Sequence, residues 1–223
     1  MNFCTDSDLL LIEPRLFEIA ARVATTTLTG IGQVVDAYLS FISRTPSDVI
    51  PQAGDVLTFL LPAEYPVICN GGDDTGTVIV LPSPQHYQQQ LSSPVLSQET
   101  NLSFIVRTFT QRATVNDQIA SALSLLSSQP VPTVLNPQAL RRPAAIITLG
   151  MIYRSLAHND RTFSEPPSGQ ISVPSPTHWR RAAEYYEQLS RGSLQQARVE
   201  LDTDGDGKPN IVKRLSEVLL VRR

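Results

Sequence analysis

The chain has 223 residues, 41% of them hydrophobic and 17% charged, so it is long enough and apolar enough to fold around a core and is not an intrinsically disordered protein. Its net charge of −3, with few clustered basic residues, argues against a nucleic-acid-binding protein, because such proteins gather Lys and Arg along the phosphate path. No basic region followed by a long apolar run opens the sequence, and no run of about 18 apolar residues occurs, so we expect neither a secretory signal nor a membrane span.

The first segment, residues 1–25, is predicted to be the N-terminal helix of a helical bundle. Apolar residues recur in it at helical spacing, and candidate caps precede them at Thr5, Ser7 and Asp8. Pro14 interrupts this pattern. We expect it to begin a second helix, since proline is favoured at the first helical position.

From residue 26 to residue 84 the helical spacing disappears, and a small inserted β subdomain is predicted. Short runs rich in β-branched residues alternate there with turn residues. The predicted strands are Thr27–Thr29, Ala37–Ile42, Val56–Leu61, Pro66–Cys69 and Thr77–Leu81. Residues 85–101 follow; this stretch is rich in Pro, Gln and Ser and is predicted to be a linker or an extended arm.

Residues 102–198 are predicted to form the main part of the bundle. A strand over Leu102–Phe109 comes first, and the spacing of Thr114 and Asp117 is that of a capping box for the helix that follows. Asn136-Pro137 then predicts a further helix start, with Asn as the cap and Pro at the first helical position. An apolar stripe after it extends to the end of that helix.

The last predicted helix, capped by Thr177, carries Trp179 and Tyr186 on its apolar face. Large aromatic residues are frequent anchors of protein interfaces. They are more frequent in the core of a bundle, and we favour that interpretation. The Arg141–Arg142 pair on the preceding predicted helix also has two interpretations: such a pair could contact DNA phosphates, but it is more often a solvated helix end.

Residues 199–223 are predicted to be a β tail, because two strand-like runs, Arg198–Leu201 and Val218–Val221, flank an Asp/Gly-rich loop. Taken together, the elements predict an α+β chain with a helical-bundle core, an inserted small β subdomain, and a C-terminal β-hairpin or extended tail.

The loop in this tail matches the first half of a calcium-binding loop, in which oxygens at positions 1, 3 and 5 converge on the ion. The candidate metal ligands are Asp202, Asp204, Asp206 and Asn210. Position 12 is Lys213 instead of a bidentate Glu, and the flanks have a strand pattern. A calcium loop that is not an EF-hand and a hairpin tip stabilised by carboxylate–backbone bonds both fit. We favour the hairpin tip and predict no cofactor, with Ca²⁺ as the alternative.

No catalytic site can be assembled from the sequence. The three histidines, His86, His158 and His178, are predicted to lie in linkers or at helix ends. The sequence contains none of the motifs of serine hydrolases, P-loop enzymes or zinc proteases. Cys4 and Cys69 have no metal or redox spacing; we expect two free thiols, a disulfide between them being the alternative. We therefore predict that the protein has no catalytic residues and is not an enzyme.

Three blocks of the sequence, in this order, are similar to one known family. They are Asp8–Phe17, Asn136–Tyr153 and the C-terminal block Trp179–Arg222, which includes Asp204-Gly205-Asp206-Gly207. They resemble the head-to-tail adaptor, or connector, proteins of tailed bacteriophages. The β segment at 26–84 is a departure, because the simplest helical adaptors lack it.

The resemblance implies a structural protein of the virion neck, assembled in the host cytoplasm. It implies a homo-oligomeric ring, usually a dodecamer, that joins the portal ring to the tail or stopper protein and lines the DNA channel. The tail at 199–223 would dock on the portal, and the candidate contact residues are Leu215, Val218, Leu220, Val221, Arg222 and Arg223. Another neck or tail-completion protein and a calcium-dependent binding module are the alternatives. No membrane partner and no sequence-specific nucleic-acid binding are expected.

Overall fold

The computed structural model describes residues 3–35, 38–60, 65–72, 78–82, 98–124, 133–159 and 176–220. The chain divides into two compact units. The first, here called the barrel unit, spans Thr5–Thr110. The second, the helical unit, combines the residues up to Cys4 with those from Gln111 onward.

The barrel unit begins with short helices and continues as six antiparallel strands. Its elements are α1 (Asp6–Ile12), α2 (Leu16–Ile19), a 3₁₀ turn (Ala21–Val23), β1 (Thr25–Val35), β2 (Tyr38–Thr45), β3 (Val56–Phe59), β4 (Tyr65–Gly72), β5 (Val78–Pro82) and β6 (Gln98–Thr108). The strand order is β1-β2-β5-β4-β3-β6, and β6 pairs back with β1, so the barrel is closed. Its interior is filled by buried aliphatic residues together with Phe59, Cys69 and Phe104.

A capping box at Thr5 fixes the start of α1. The Asp8 carboxylate accepts a hydrogen bond from the Thr5 backbone N–H at 2.8 Å, and the Asp8 N–H donates to the Thr5 hydroxyl at 3.4 Å. The backbone N–H of Ser7 also donates to the carbonyl of Gly54, which ties α1 to the turn before β3. The predicted cap at Thr5 is confirmed. Pro14, however, lies between the helices, and α2 begins at Leu16.

The helical unit consists of three long helices, a short one and a small sheet. Its elements are α3 (Thr110–Ser124, which starts at the last residue of the barrel unit), β7 (Thr133–Val134), α4 (Gln138–Asn159), α5 (Pro176–Gln196), β8 (Arg198–Asp202), β9 (Ile211–Arg214) and α6 (Leu215–Leu220). The sheet has the order β7-β8-β9. Of the described helices, none combines the length and apolarity needed to cross a membrane.

An aromatic stack joins α4 to α5. The ring of Tyr153 lies 5.8 Å from that of Trp179 and 5.4 Å from that of Tyr186, both in stacked geometry. Trp179 and Tyr186 are only 1% and 7% exposed, whereas Tyr185 is 59% exposed. The interpretation of Trp179 and Tyr186 as core residues is confirmed.

Asn116 on α3 holds the beginning of the chain. Its side-chain oxygen accepts hydrogen bonds from the backbone N–H groups of Phe3 and Cys4, and its amide donates to the Cys4 carbonyl. All three residues are buried. The helical unit is therefore assembled from two separate segments of the chain, with the barrel unit between them.

The predicted fold, a helical-bundle core with a small inserted β subdomain and a β tail, is wrong. The protein is a mixed α and β structure in which the barrel is a full unit. That unit includes α1 and α2, which were assigned to the bundle, and the 11-residue β6, which overlaps the predicted arm and bundle. β6 pairs with β1 and β3, far earlier in the sequence, and local periodicity shows that a strand exists without showing its partners.

Two local predictions in the helical unit are also wrong. The helix expected to start at the Thr114–Asp117 box begins earlier, at Thr110. A strand was expected at Val218–Val221, but the described part of this range belongs to the helix Leu215–Leu220, whose Leu and Glu residues are strong helix formers.

Candidate functional site

The hairpin β8–β9 is held at one edge by β7 and by a side chain that acts as an extension of β7. The Asn136 side chain accepts from the Glu200 N–H and donates to the Arg198 carbonyl, each at 2.9 Å. Asn136 therefore bonds to β8 through its side chain, and α4 begins two residues later, at Gln138. This clamp fixes β8 against the start of α4.

The opposite edge of the hairpin is β9. Among the described residues β9 pairs only with β8, so its outer edge is open. The Leu215 N–H donates to the Ala197 carbonyl, and antiparallel alternation then directs the backbone groups of Val212 and Arg214 away from β8. Both side chains are exposed, Val212 at 55%. An exposed edge with an apolar side chain is a surface on which another strand can add.

Of the residues predicted to contact a portal, the three whose backbone the structure describes belong to α6 and do not lie on this edge. Leu215 is fully buried in the helical unit and is not available to a partner. Val218 and Leu220 belong to α6, but their side chains lie outside the described structure, as do Val221, Arg222 and Arg223 entirely. The sequence analysis missed Val212 and Arg214, although the β-branched pair Ile211-Val212 after the Asp/Gly-rich loop was a signal for a strand.

The loop between β8 and β9 is organised around the carboxylate of Asp202. One of its oxygens accepts from the N–H groups of Asp204 and Gly205, at 3.2 and 2.6 Å, and the other accepts from Gly207 at 2.9 Å. The hydrogen bonds from Gly205 and then Gly207 are the largest causes that lower the pKa of Asp202. The loop is therefore built around the ionised form of this side chain.

The other predicted ligands take part in the same loop, but not equally. Asp204 and Asp206 each accept a backbone N–H from two residues further on, and both are exposed. One carboxylate oxygen from each of the three Asp residues lies within 4.8 Å of the others. The Asn210 side-chain oxygen instead accepts from the N–H and hydroxyl of Thr203. The structure thus gathers three of the four predicted ligands.

The loop predicts a specific response to the double substitution Asp204→Asn/Asp206→Asn. An Asn side chain keeps the acceptor oxygen of each turn and removes the charge, so a hairpin tip should melt within a degree or two of the wild type, with or without Ca²⁺. Thermal melting monitored by circular dichroism, with and without added Ca²⁺, checks this. A rise of several degrees on adding Ca²⁺ to the wild type, absent in the double variant, would instead establish a calcium-binding module.

The two cysteines, which are the candidate nucleophiles, are both buried. Cys69 lies in the barrel core, fully buried, and desolvation together with the nearby Asp55 carboxylate raises the pKa of its thiol to about 12. Such a thiol is protonated at neutral pH and is a poor nucleophile. Cys4 is also buried, and both cysteines are free thiols.

The histidines add no nucleophile–base pair that the structure describes. His158 ends α4, and the ring of His178 packs edge-on against Trp179 at 5.1 Å. His86 lies outside the described residues. That the protein is not an enzyme stays a prediction.

Comparison with known proteins identifies no relative: no family model, characterised protein or solved structure matches this chain.

Proposed function

We propose that the protein is a structural component of the neck of a tailed bacteriophage, an adaptor that docks on the portal ring through its C-terminal hairpin. The observation that carries this proposal is the open edge of β9, presented by a hairpin whose other edge is fixed by β7 and Asn136. The blocks of sequence that resemble the connector family support it from an independent direction.

An open edge strand is suited to docking, because an incoming strand gains main-chain hydrogen bonds that need no particular sequence. Specificity then comes from the side chains beside the ladder. Val212 offers an apolar contact, and Arg214 offers a charge, on the same face of β9. In this proposal the partner strand belongs to the portal protein; another neck or tail-completion protein would use the same edge with a different partner.

The substitution Val212→Pro tests the edge directly. The backbone N–H of Val212 points away from β8, so its loss should leave the hairpin intact. Because proline cannot donate a hydrogen bond to an added strand, the variant should block strand addition. We expect the variant to lose binding to the purified portal ring of the same phage, counted as bound copies by mass photometry. Val212→Thr is the matched control: it keeps the N–H and the β-branched shape, and it should bind as the wild type does.

Deleting residues 199–223 is a poor test, because it would remove Val199, Leu201 and Leu215 from the core of the helical unit. Deleting only 221–223 avoids this loss and asks whether the terminal arginines contribute. A wild-type chain that does not bind the portal, or a Val212→Pro variant that binds at full stoichiometry, would contradict docking by this edge.

A further inference from the structure

A groove in the helical unit carries positive charge and no negative charge. It has a volume of about 700 Å³ and lies between the first turns of α4, the last turns of α5 and the start of β8. Its polar lining comes from Asn136, Arg142, Gln188, Ser193, Gln196 and Arg198. No acidic residue is among the described residues that line it.

The two arginines of this groove have no ion pair among the described residues. A second groove beside α4 and α5 shows the contrast: it is lined by Arg154, whose guanidinium lies 3.1 Å from the Glu187 carboxylate on its own rim. Arg198 also faces Arg214 directly across the hairpin. Like charges opposite each other on a sheet are destabilising, and an anionic partner offsets this.

We propose that this groove binds the acidic loop of a second copy of the chain, through Asp204 and Asp206. Both carboxylates are exposed, and each accepts one backbone N–H of its own loop, at 3.4 Å for Asp204 and 2.8 Å for Asp206. Their two negative charges are complementary to the positive charges of Arg142 and Arg198. The carboxylate and guanidinium groups can form charge-assisted hydrogen bonds across the contact.

The loop cannot fill the groove of its own chain. Arg198 and Asp202 are the two ends of β8, about 13 Å apart at the rise of an extended strand. Folding the loop back would require breaking β8. The groove and the loop are therefore different patches that meet between copies, and a contact of this kind builds a ring or a filament.

A duplex nucleic acid is the competing occupant, and the charge favours the acidic loop over it. The chain has a net charge of −3, and the groove offers only two arginines. Nucleic-acid binding draws on a much larger number of clustered cations.

Charge variants test the contact by sedimentation velocity, at low ionic strength because salt screens such pairs. We expect the wild type to self-associate, and Arg142→Glu or Asp204→Asn/Asp206→Asn each to weaken association by about tenfold or more. Mixing the two variants should give dimers that do not grow. The loop of the Arg142→Glu chain can bind the groove of the Asp204→Asn/Asp206→Asn chain, and each such pair then has no intact groove or loop left for a third chain. Both variants should fold: Arg142 is exposed near the start of a helix, where Glu is favourable, and Asn keeps the turns.

The matched controls make the same change of charge outside the groove and outside the loop. Arg141→Glu alters an exposed arginine that does not line the groove, and Asp48→Asn/Asp117→Asn removes two exposed carboxylates elsewhere. Both should associate as the wild type does. A monomeric wild type, controls as damaging as the test variants, or binding of a short DNA duplex lost in Arg142→Glu with association unchanged would overturn the proposal. No portal is present, so this contact and the proposed docking can fail separately.

Discussion

Replacing Trp179 by Ala is expected to destabilise the helical unit by about 3–5 kcal/mol, the usual cost of deleting a buried large aromatic side chain. Trp179 is 1% exposed, and its ring stacks on Tyr153, which in turn stacks on Tyr186. Removing it leaves a cavity between α4 and α5 and exposes one face of Tyr153. Urea unfolding followed by circular dichroism measures the loss, because the variant has no tryptophan left as a fluorescent probe.

Tyr185→Ala is the matched control for this substitution. It lies on the same helix and is 59% exposed, and its ring contacts only the edge of the stack, at Tyr186, so its removal should lower the free energy of unfolding by no more than about 1.5 kcal/mol. Equal losses for the two variants would contradict the placement of Trp179 in the core.

Gly30→Val is expected to prevent the barrel from closing. A Cβ atom at Gly30 would stand 2.6 Å from the Cζ atom of Phe104 and would clash with the Ser43 carbonyl. The Phe104 ring is buried in the barrel core, and the Ser43 carbonyl belongs to β2, which pairs with β1, so neither can move freely. We expect a loss of about 3 kcal/mol or more, the upper range for overpacking a tight core.

Hydrogen exchange resolved by segment measures this loss, since protection should fall in β1–β6. The fluorescence of Trp179, the only tryptophan, reports on the helical unit in the same sample. Gly192→Ala is the control: a Cβ there meets nothing within 4 Å, and helix propensity predicts a gain of about 0.5–1 kcal/mol. Unchanged protection of the barrel strands in Gly30→Val would show that the interior has room for a side chain.

The sequence predicted local structure better than the way it is assembled. Each of the five predicted strands between residues 26 and 84 overlaps a strand of the barrel, because β-branched runs between turns have a strong local signature. Their closure with β6 could not be predicted, since it depends on pairs such as Thr29 with Ile105. Pairing between distant segments leaves no periodic trace in either segment.

In the candidate site, too, local features were predicted from the sequence and contacts between distant segments were not. The Asp-rich loop was recognised as a turn because its spacing is itself local, and the structure brings three of its carboxylates together. Leu215 was predicted to contact a portal as part of a strand, but a helix begins there and turns its side chain into the core. Asn136 was predicted as a helix cap, and nothing in the sequence indicated that its side chain would bond to β8.

The bonds between Asn116 and the first residues of the chain have a consequence for how such a protein can change over generations. Asn116 lies about 9 Å along α3 from Thr110, at the rise of a helix, and it holds Cys4, the last residue before the barrel unit. The chain thus departs from the helical unit and returns to it at neighbouring points. Insertions between such points are tolerated, because the host structure does not need to shift. The barrel unit is thus inserted into the helical unit at a place where a longer or shorter insert would still begin and end at neighbouring points.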